Sequence, residues 1–166
     1  MSGPVSALSA SDPPGWDALD ASSGWLSFWR RYLVASALLH FAWEWVQLPL
    51  YTVWFDESFA RLAFVVAHCT AGDVAIATVA MGLSLAMFAD KRWPAVGLKR
   101  VALGAVAFGV AYTVYSEWLN TVVREEWAYT AAMPTVPPYG TGLAPLLQWF
   151  VVPILAVLYA RGRRLA

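Results

Sequence analysis

The sequence contains few charged residues and a single cysteine. Asp, Glu, Lys and Arg make up 13% of the 166 residues, whereas soluble domains average about a quarter. The eleven basic and eleven acidic residues cancel, so the excess of positive charge that marks nucleic-acid-binding proteins is missing and we expect no nucleic-acid partner. Because Cys69 is the only cysteine, an intrachain disulfide and a metal motif built from several cysteines are both excluded.

Hydrophobic residues dominate the chain, at 60% of its length and with a mean hydropathy of +0.55. They cluster in four stretches of about 32–54, 62–88, 101–123 and 143–160, each long enough to cross a hydrocarbon layer of ~30 Å. The sequence therefore predicts an all-α, polytopic membrane protein, whose residues 25–166 form a bundle of four transmembrane helices.

The N-terminal residues 1–24 are rich in Ser, Ala, Pro, Gly and Asp, without an apolar period, and they predict a disordered tail rather than a signal peptide. Basic residues are concentrated at Arg30-Arg31, in the loop 91–100 and at 161–164. Under the positive-inside rule, these three regions face the cytoplasm. We therefore expect both termini inside a bacterial inner membrane or its equivalent, with membrane lipids as neighbours.

Ionisable residues occur deep within three of these stretches. His40, Glu44 and Gln47 recur at a spacing that places them on one helix face. Asp73 in the second stretch and Glu117 in the third can converge with Glu44, because charged residues inside a membrane bundle usually face its interior. The pattern makes Glu44, His40 and Asp73 candidate catalytic residues.

The polar residues of all four stretches lie at the predicted midplane or in the outer half of the membrane, which predicts a pocket open to the outer side. Carboxylates between aromatic side chains suit a cationic or polycyclic apolar ligand. The loop 128–141 is rich in proline, and two readings stay open for it, a lid over the bundle or an exposed connector. The candidate ligand-binding residues are Trp43, Gln47, Tyr115, Glu117, Asn120, Gln148 and Trp149.

Several of these features resemble the EXPERA superfamily, which includes the emopamil-binding sterol isomerase and the sigma-2 receptor. The pair His40-x-x-x-Glu44, the second carboxylate Asp73 and the proline-rich loop before a last span with Pro145 and Pro153 are similar to that family, although the isomerase's extra first span is missing. The resemblance implies a four-helix bundle that binds an isoprenoid or polycyclic lipid. It also implies that Glu44 and His40 transfer protons around a carbocation, with Trp149 as an aromatic wall.

Two other functions fit the same residues. The nitrogen and oxygen donors suit zinc, iron or manganese, and a haem ligated by His40 and His68 is a variant of that hypothesis. The second alternative is a non-catalytic accessory subunit, which docks a membrane partner chain or forms a homodimer. The identity of a cofactor stays open. The candidate metal ligands are His40, Glu44, His68, Asp73 and Glu117.

Overall fold

The computed structural model describes the backbone of residues 16–162 and the side chains of residues 24–162, and the described chain is mostly helical. Residues 1–15 of the predicted tail and the basic residues 163–164 lie outside this range. The helices are α1 (Trp16–Gln47), α2 (Val53–Asp56), α3 (Phe59–Phe88), α4 (Leu98–Trp118) and α5 (Leu143–Ala160). A 3₁₀ turn (Leu48–Leu50) follows α1, a π-helical turn (Leu119–Val123) extends α4, and the strands β1 (Thr135–Val136) and β2 (Thr141–Gly142) pair antiparallel.

Three helices are long and apolar enough to cross a membrane, namely Phe59–Phe88, Leu98–Val123 and Leu143–Ala160. In the most apolar 18-residue stretch of α3, only 17% is buried inside the protein. Most of that helix surface therefore requires apolar surroundings. These three helices indicate a membrane protein, as the sequence predicted. They match the second, third and fourth predicted spans closely.

The first helix differs from its predicted span of 32–54. α1 begins at Trp16, inside the predicted tail, and ends at Gln47. Pro49 follows at once, and a proline, which has no backbone N–H to donate, does not continue an α-helix. The chain therefore leaves α1 through the 3₁₀ turn, and the short helix α2 covers the rest of the predicted span.

The four long helices form a ring in which α1 packs on α3 and α5, and α4 packs on the same two helices. A hydrophobic core fills the end of this ring near the loop 89–97, where the Trp93 indole lies edge-on to the Phe28 ring at 4.5 Å. Met81 and Ala156 are fully buried in the same core. The polar residues lie in the other half of the ring.

Two glycines on α4 permit close helix contacts. A Cβ atom on Gly104 would collide with the Ser84 hydroxyl and the Phe88 ring of α3, and one on Gly109 would collide with the indole of Trp149 on α5. The Ser84 hydroxyl also donates to the Val101 carbonyl at 2.6 Å. Small residues that let backbones approach in this way stabilise helix pairs inside membranes.

We expect the variant Gly109→Ala to lower the free energy of unfolding by about 1–3 kcal/mol, because the added methyl group forces the Trp149 ring out of place. Thermal unfolding in detergent measures the change. Gly82→Ala is the matched control, since no other group lies within 4 Å of its added Cβ atom. Equal melting temperatures for the two variants would show that the contact at Gly109 is not tight.

Candidate functional site

A cavity of about 790 Å³ lies between the four long helices. Its inner walls include Glu44 of α1, Asp73 of α3, Glu117 of α4 and Gln148 of α5. It extends to the end of the bundle that carries α2 and the start of the loop after α4. The charged residues at that end of the cavity are Asp56, Glu57, Arg61, Arg124 and Glu126.

The polar groups reach the cavity because α1 is turned with its polar side inward. His40, Glu44 and Gln47 are buried, whereas Leu38 and Val46 of the same helix are 66% and 77% exposed. Spacings of four and three residues place the buried set on one stripe. The helix thus presents its polar stripe to the interior and its apolar side to the surroundings.

The side-chain amide of Gln148 connects three helices. Its nitrogen lies 2.8 Å from His40 Nδ1, 3.0 Å from Glu44 Oε1 and 3.0 Å from Asp73 Oδ2. Gln47 donates to Glu44 Oε1 at 2.8 Å and to the Gln148 carbonyl oxygen at 3.3 Å. We call these five residues the amide cluster.

The amide cluster holds more acceptors than donors. An amide nitrogen has two hydrogens, yet two carboxyl oxygens and the Nδ1 atom of His40 all lie within 3.0 Å of that of Gln148. Both carboxyl oxygens lie 3.0 Å from that nitrogen, which keeps them within about 6 Å of each other. Glu44 is buried and Asp73 is half-buried, and two carboxylates at such a distance repel each other. The arrangement is therefore complementary to a proton or to a cationic group.

An indole borders the amide cluster. The Trp149 ring lies 5.2 Å from the His40 ring, tilted by 50°, and it lines the cavity. Ile76 of α3 and Tyr112 of α4 add further nonpolar surface to the walls. The cavity thus combines acidic groups with aromatic and aliphatic walls, as pockets for apolar ligands with one polar feature do.

A second acidic group on the cavity wall is anchored by a loop residue. The Tyr129 hydroxyl donates to Glu117 Oε2 and accepts a hydrogen bond from the Gly142 backbone N–H at 3.0 Å. Burial, with the neighbouring Glu117 carboxylate, raises the pKa of the Tyr129 hydroxyl above its usual range. Tyr129 therefore keeps the proton that it donates.

Residues 128–142, which we call the cap segment, pack back onto the bundle. The backbone N–H of Thr52 donates to the Ala128 carbonyl at 3.0 Å, and that of Thr130 donates to the Leu50 carbonyl at 2.9 Å. Met133 is 6% exposed, as expected for a residue held beneath other groups. The contacts show that the first part of the loop, up to Met133, packs against the end of the bundle, whereas residues 134–140 are exposed, so each of the two readings holds for part of the loop.

Most of the sequence-predicted residues lie around the cavity, but two do not. Trp43 and Tyr115 are absent from the cavity walls, and Tyr115 is 54% exposed beside Trp118. Both were expected there from their depth alone, and depth does not say which way a side chain faces. His40 does not line the cavity itself but contacts Gln148, which does. The predicted residues that line the cavity are Glu44, Gln47, His68, Asp73, Glu117, Asn120, Gln148 and Trp149.

The structure does not gather the predicted metal ligands into one site. His68 is exposed and stacks on Phe64 at 5.9 Å, whereas His40 is fully buried in the amide cluster. Among residues 24–162, no three side chains of His, Cys, Asp or Glu are arranged to hold a metal ion. The two histidines therefore contact different surroundings, which also disfavours a haem held between them.

Tyr129 and Tyr51 are site residues that the sequence did not reveal. Their rings lie 5.4 Å apart where the cap segment meets the end of α1, and burial raises the pKa of Tyr51 well above its usual value. Both lie outside the long helices, where no periodicity assigns a face. The apolar residues of the cap segment were the one signal that it packs onto the bundle.

The comparisons with known proteins give no further assignment, since no family model, no curated protein and no solved structure matches the chain.

We expect Tyr129→Phe to loosen the cap segment, because it removes the hydrogen bonds to Glu117 and to the Gly142 amide. A hydrogen bond to a charged group contributes about 1.5–3 kcal/mol, so amide hydrogen exchange in residues 128–142 should accelerate at least about tenfold. Tyr139→Phe is the control, because Tyr139 lies in the same segment and is 57% exposed. Unchanged exchange in Tyr129→Phe would mean that other contacts hold the segment.

Proposed function

We propose that the protein binds an apolar, polycyclic or isoprenoid ligand within the membrane and stabilises a positive charge on it. The observation that carries the proposal is the meeting of Glu44 and Asp73 at one amide nitrogen beside an indole. Preorganised carboxylates in a site with little water stabilise a cation far better than they do in water. A ligand with a basic nitrogen, or one that becomes a carbocation during reaction, fits this site.

We further propose that the chemistry is a double-bond shift by proton transfer. A protonated Glu44 gives its proton to one alkene carbon, and the resulting carbocation lies beside the Asp73 carboxylate. Loss of a proton from the neighbouring carbon to a carboxylate forms the shifted double bond, so no oxidant or reductant is consumed. His40 contacts Gln148 and lies 3.4 Å from Asp73, which makes it a residue that positions the carboxyl groups.

This pocket belongs to a bundle that we propose crosses the membrane four times, with both termini in the cytoplasm. α1 supports the fourth crossing, because the exposed side chains of its second half, from Val34 to Val46, are apolar and the helix extends beyond this part toward Trp16. Orientation rests on the basic residues of the 89–97 loop and its flanks, opposite an acidic end with Asp56 and Glu57. The cavity then opens toward the outer side of a bacterial inner membrane.

Single cysteines in a Cys69→Ala background test this topology with a membrane-impermeant maleimide on intact cells. We expect labelling at Asp56→Cys but not at Leu26→Cys or Lys91→Cys, because the last two positions face the cytoplasm. Permeabilised cells provide the control, since Leu26 is 73% exposed and should then react. Labelling of both Leu26→Cys and Asp56→Cys in intact cells would show that α1 does not cross the membrane.

We expect the wild-type protein to bind a lipophilic polycyclic tertiary amine more tightly than the same skeleton with carbon in place of nitrogen. Glu44→Gln and Asp73→Asn should each weaken binding of the amine at least about tenfold, which corresponds to ~1.4 kcal/mol. Binding of the carbon analogue should change less than about twofold. Equilibrium binding of radiolabelled probes in phosphatidylcholine nanodiscs measures both.

The charge control for this experiment is Glu125→Gln, because Glu125 is exposed near the same end of the bundle and does not line the cavity. Its affinity for the amine should equal that of the wild type. Equal amine affinity in the wild type and both cluster variants would contradict the proposal. That result would favour the accessory-subunit hypothesis, which predicts that a partner chain co-purifies with the protein.

A further inference from the structure

A second cleft, of about 950 Å³, lies at the opposite end of the bundle from the cavity. Arg31 of α1 and Arg161 at the end of α5 contribute its charged groups. The Arg31 guanidinium, from the middle of α1, approaches Gly162, the residue after Arg161, so both arginines border the same cleft. This cleft shares no lining residue with the cavity.

Among residues 24–162, no carboxylate balances the positive charge of the cleft. No acidic side chain lines it, and within residues 24–162 neither arginine lies within 4.0 Å of a carboxylate. Asp90, the acidic residue of the adjoining loop, is within 3.5 Å of Arg92 instead. Two exposed guanidinium groups with no carboxylate partner among the described side chains attract an anion, and arginine binds phosphate through two parallel hydrogen bonds.

The remaining walls of the cleft are apolar. Leu98 and Leu158 line it, and the Leu158 side chain is 45% exposed. Tyr159 also lines the cleft and is 61% exposed; tyrosine side chains of this kind are typical of the level of the lipid headgroups. A charged patch beside exposed aliphatic residues suits an amphiphile, because a free anion gains nothing from the aliphatic part.

We propose that this cleft binds the headgroup phosphate of an anionic phospholipid. Arg31 and Arg161 contact the phosphate, and the acyl chains follow Leu98 and Leu158 along the helix ends. Basic pockets between transmembrane helices bind anionic headgroups in this manner. The site is independent of the amide cluster, so it stands whether or not the cavity binds an apolar ligand.

Native mass spectrometry of the full chain tests the site after release from nanodiscs with equal amounts of phosphatidylglycerol and phosphatidylcholine. We expect the wild-type protein to retain phosphatidylglycerol preferentially. Arg31→Gln and Arg161→Gln should each lower that preference about fivefold, since one basic residue contributes ~1 kcal/mol near an anionic lipid. Both arginines are exposed, so neither substitution disturbs the core.

The matched control is Arg30→Gln, because Arg30 is the neighbouring exposed arginine on α1 and does not line the cleft. Its preference for phosphatidylglycerol should equal that of the wild type. An equal loss in Arg30→Gln would show general attraction to the basic surface and would overturn the assignment. Displacement of the lipid by millimolar inorganic phosphate would also overturn it, because the occupant would then be free phosphate.

Discussion

The contact of one amide nitrogen with two carboxyl oxygens and an imidazole nitrogen is the constraint on which this site depends. Gln148 of α5 contacts His40 and Glu44 of α1 and Asp73 of α3, so it fixes the rotation of three helices relative to one another. The next residue, Trp149, then points toward α4, where the bare backbone of Gly109 makes room for the indole. Two consecutive residues of α5 thereby position the acidic groups of the cavity and supply its aromatic wall.

The distribution of charge divides the molecule into two halves with different roles. Near the 89–97 loop, the ring is filled by a hydrophobic core, and basic residues surround its end. In the other half, the helices enclose a cavity with buried acidic groups. The concentration of Lys and Arg at one end favours one orientation in a membrane, and the same asymmetry separates the proposed lipid-headgroup site from the proposed ligand pocket.

The sequence predicted three of the four long helices closely and the inward polar face of α1, because both follow from local periodicity. The spacing of His40, Glu44 and Gln47 assigned the polar stripe of α1, and Gln148 was among the predicted binding residues. Depth along a helix was a poorer guide, since Tyr115 lies at a suitable level and points away from the cavity. Tyr129 could not be assigned at all, because its contact with Glu117 depends on how an irregular loop folds back.

The position of Gln148 on α5, after the helices of Glu44 and Asp73 in the sequence, has a consequence for biosynthesis. Translation produces α1 and α3 long before α5, so the newly made carboxyl groups of Glu44 and Asp73 meet without the amide that later lies between them. Burying them in that state is costly. The first three long helices therefore have reason to stay loosely associated until α5 emerges, and α5 then completes the amide cluster.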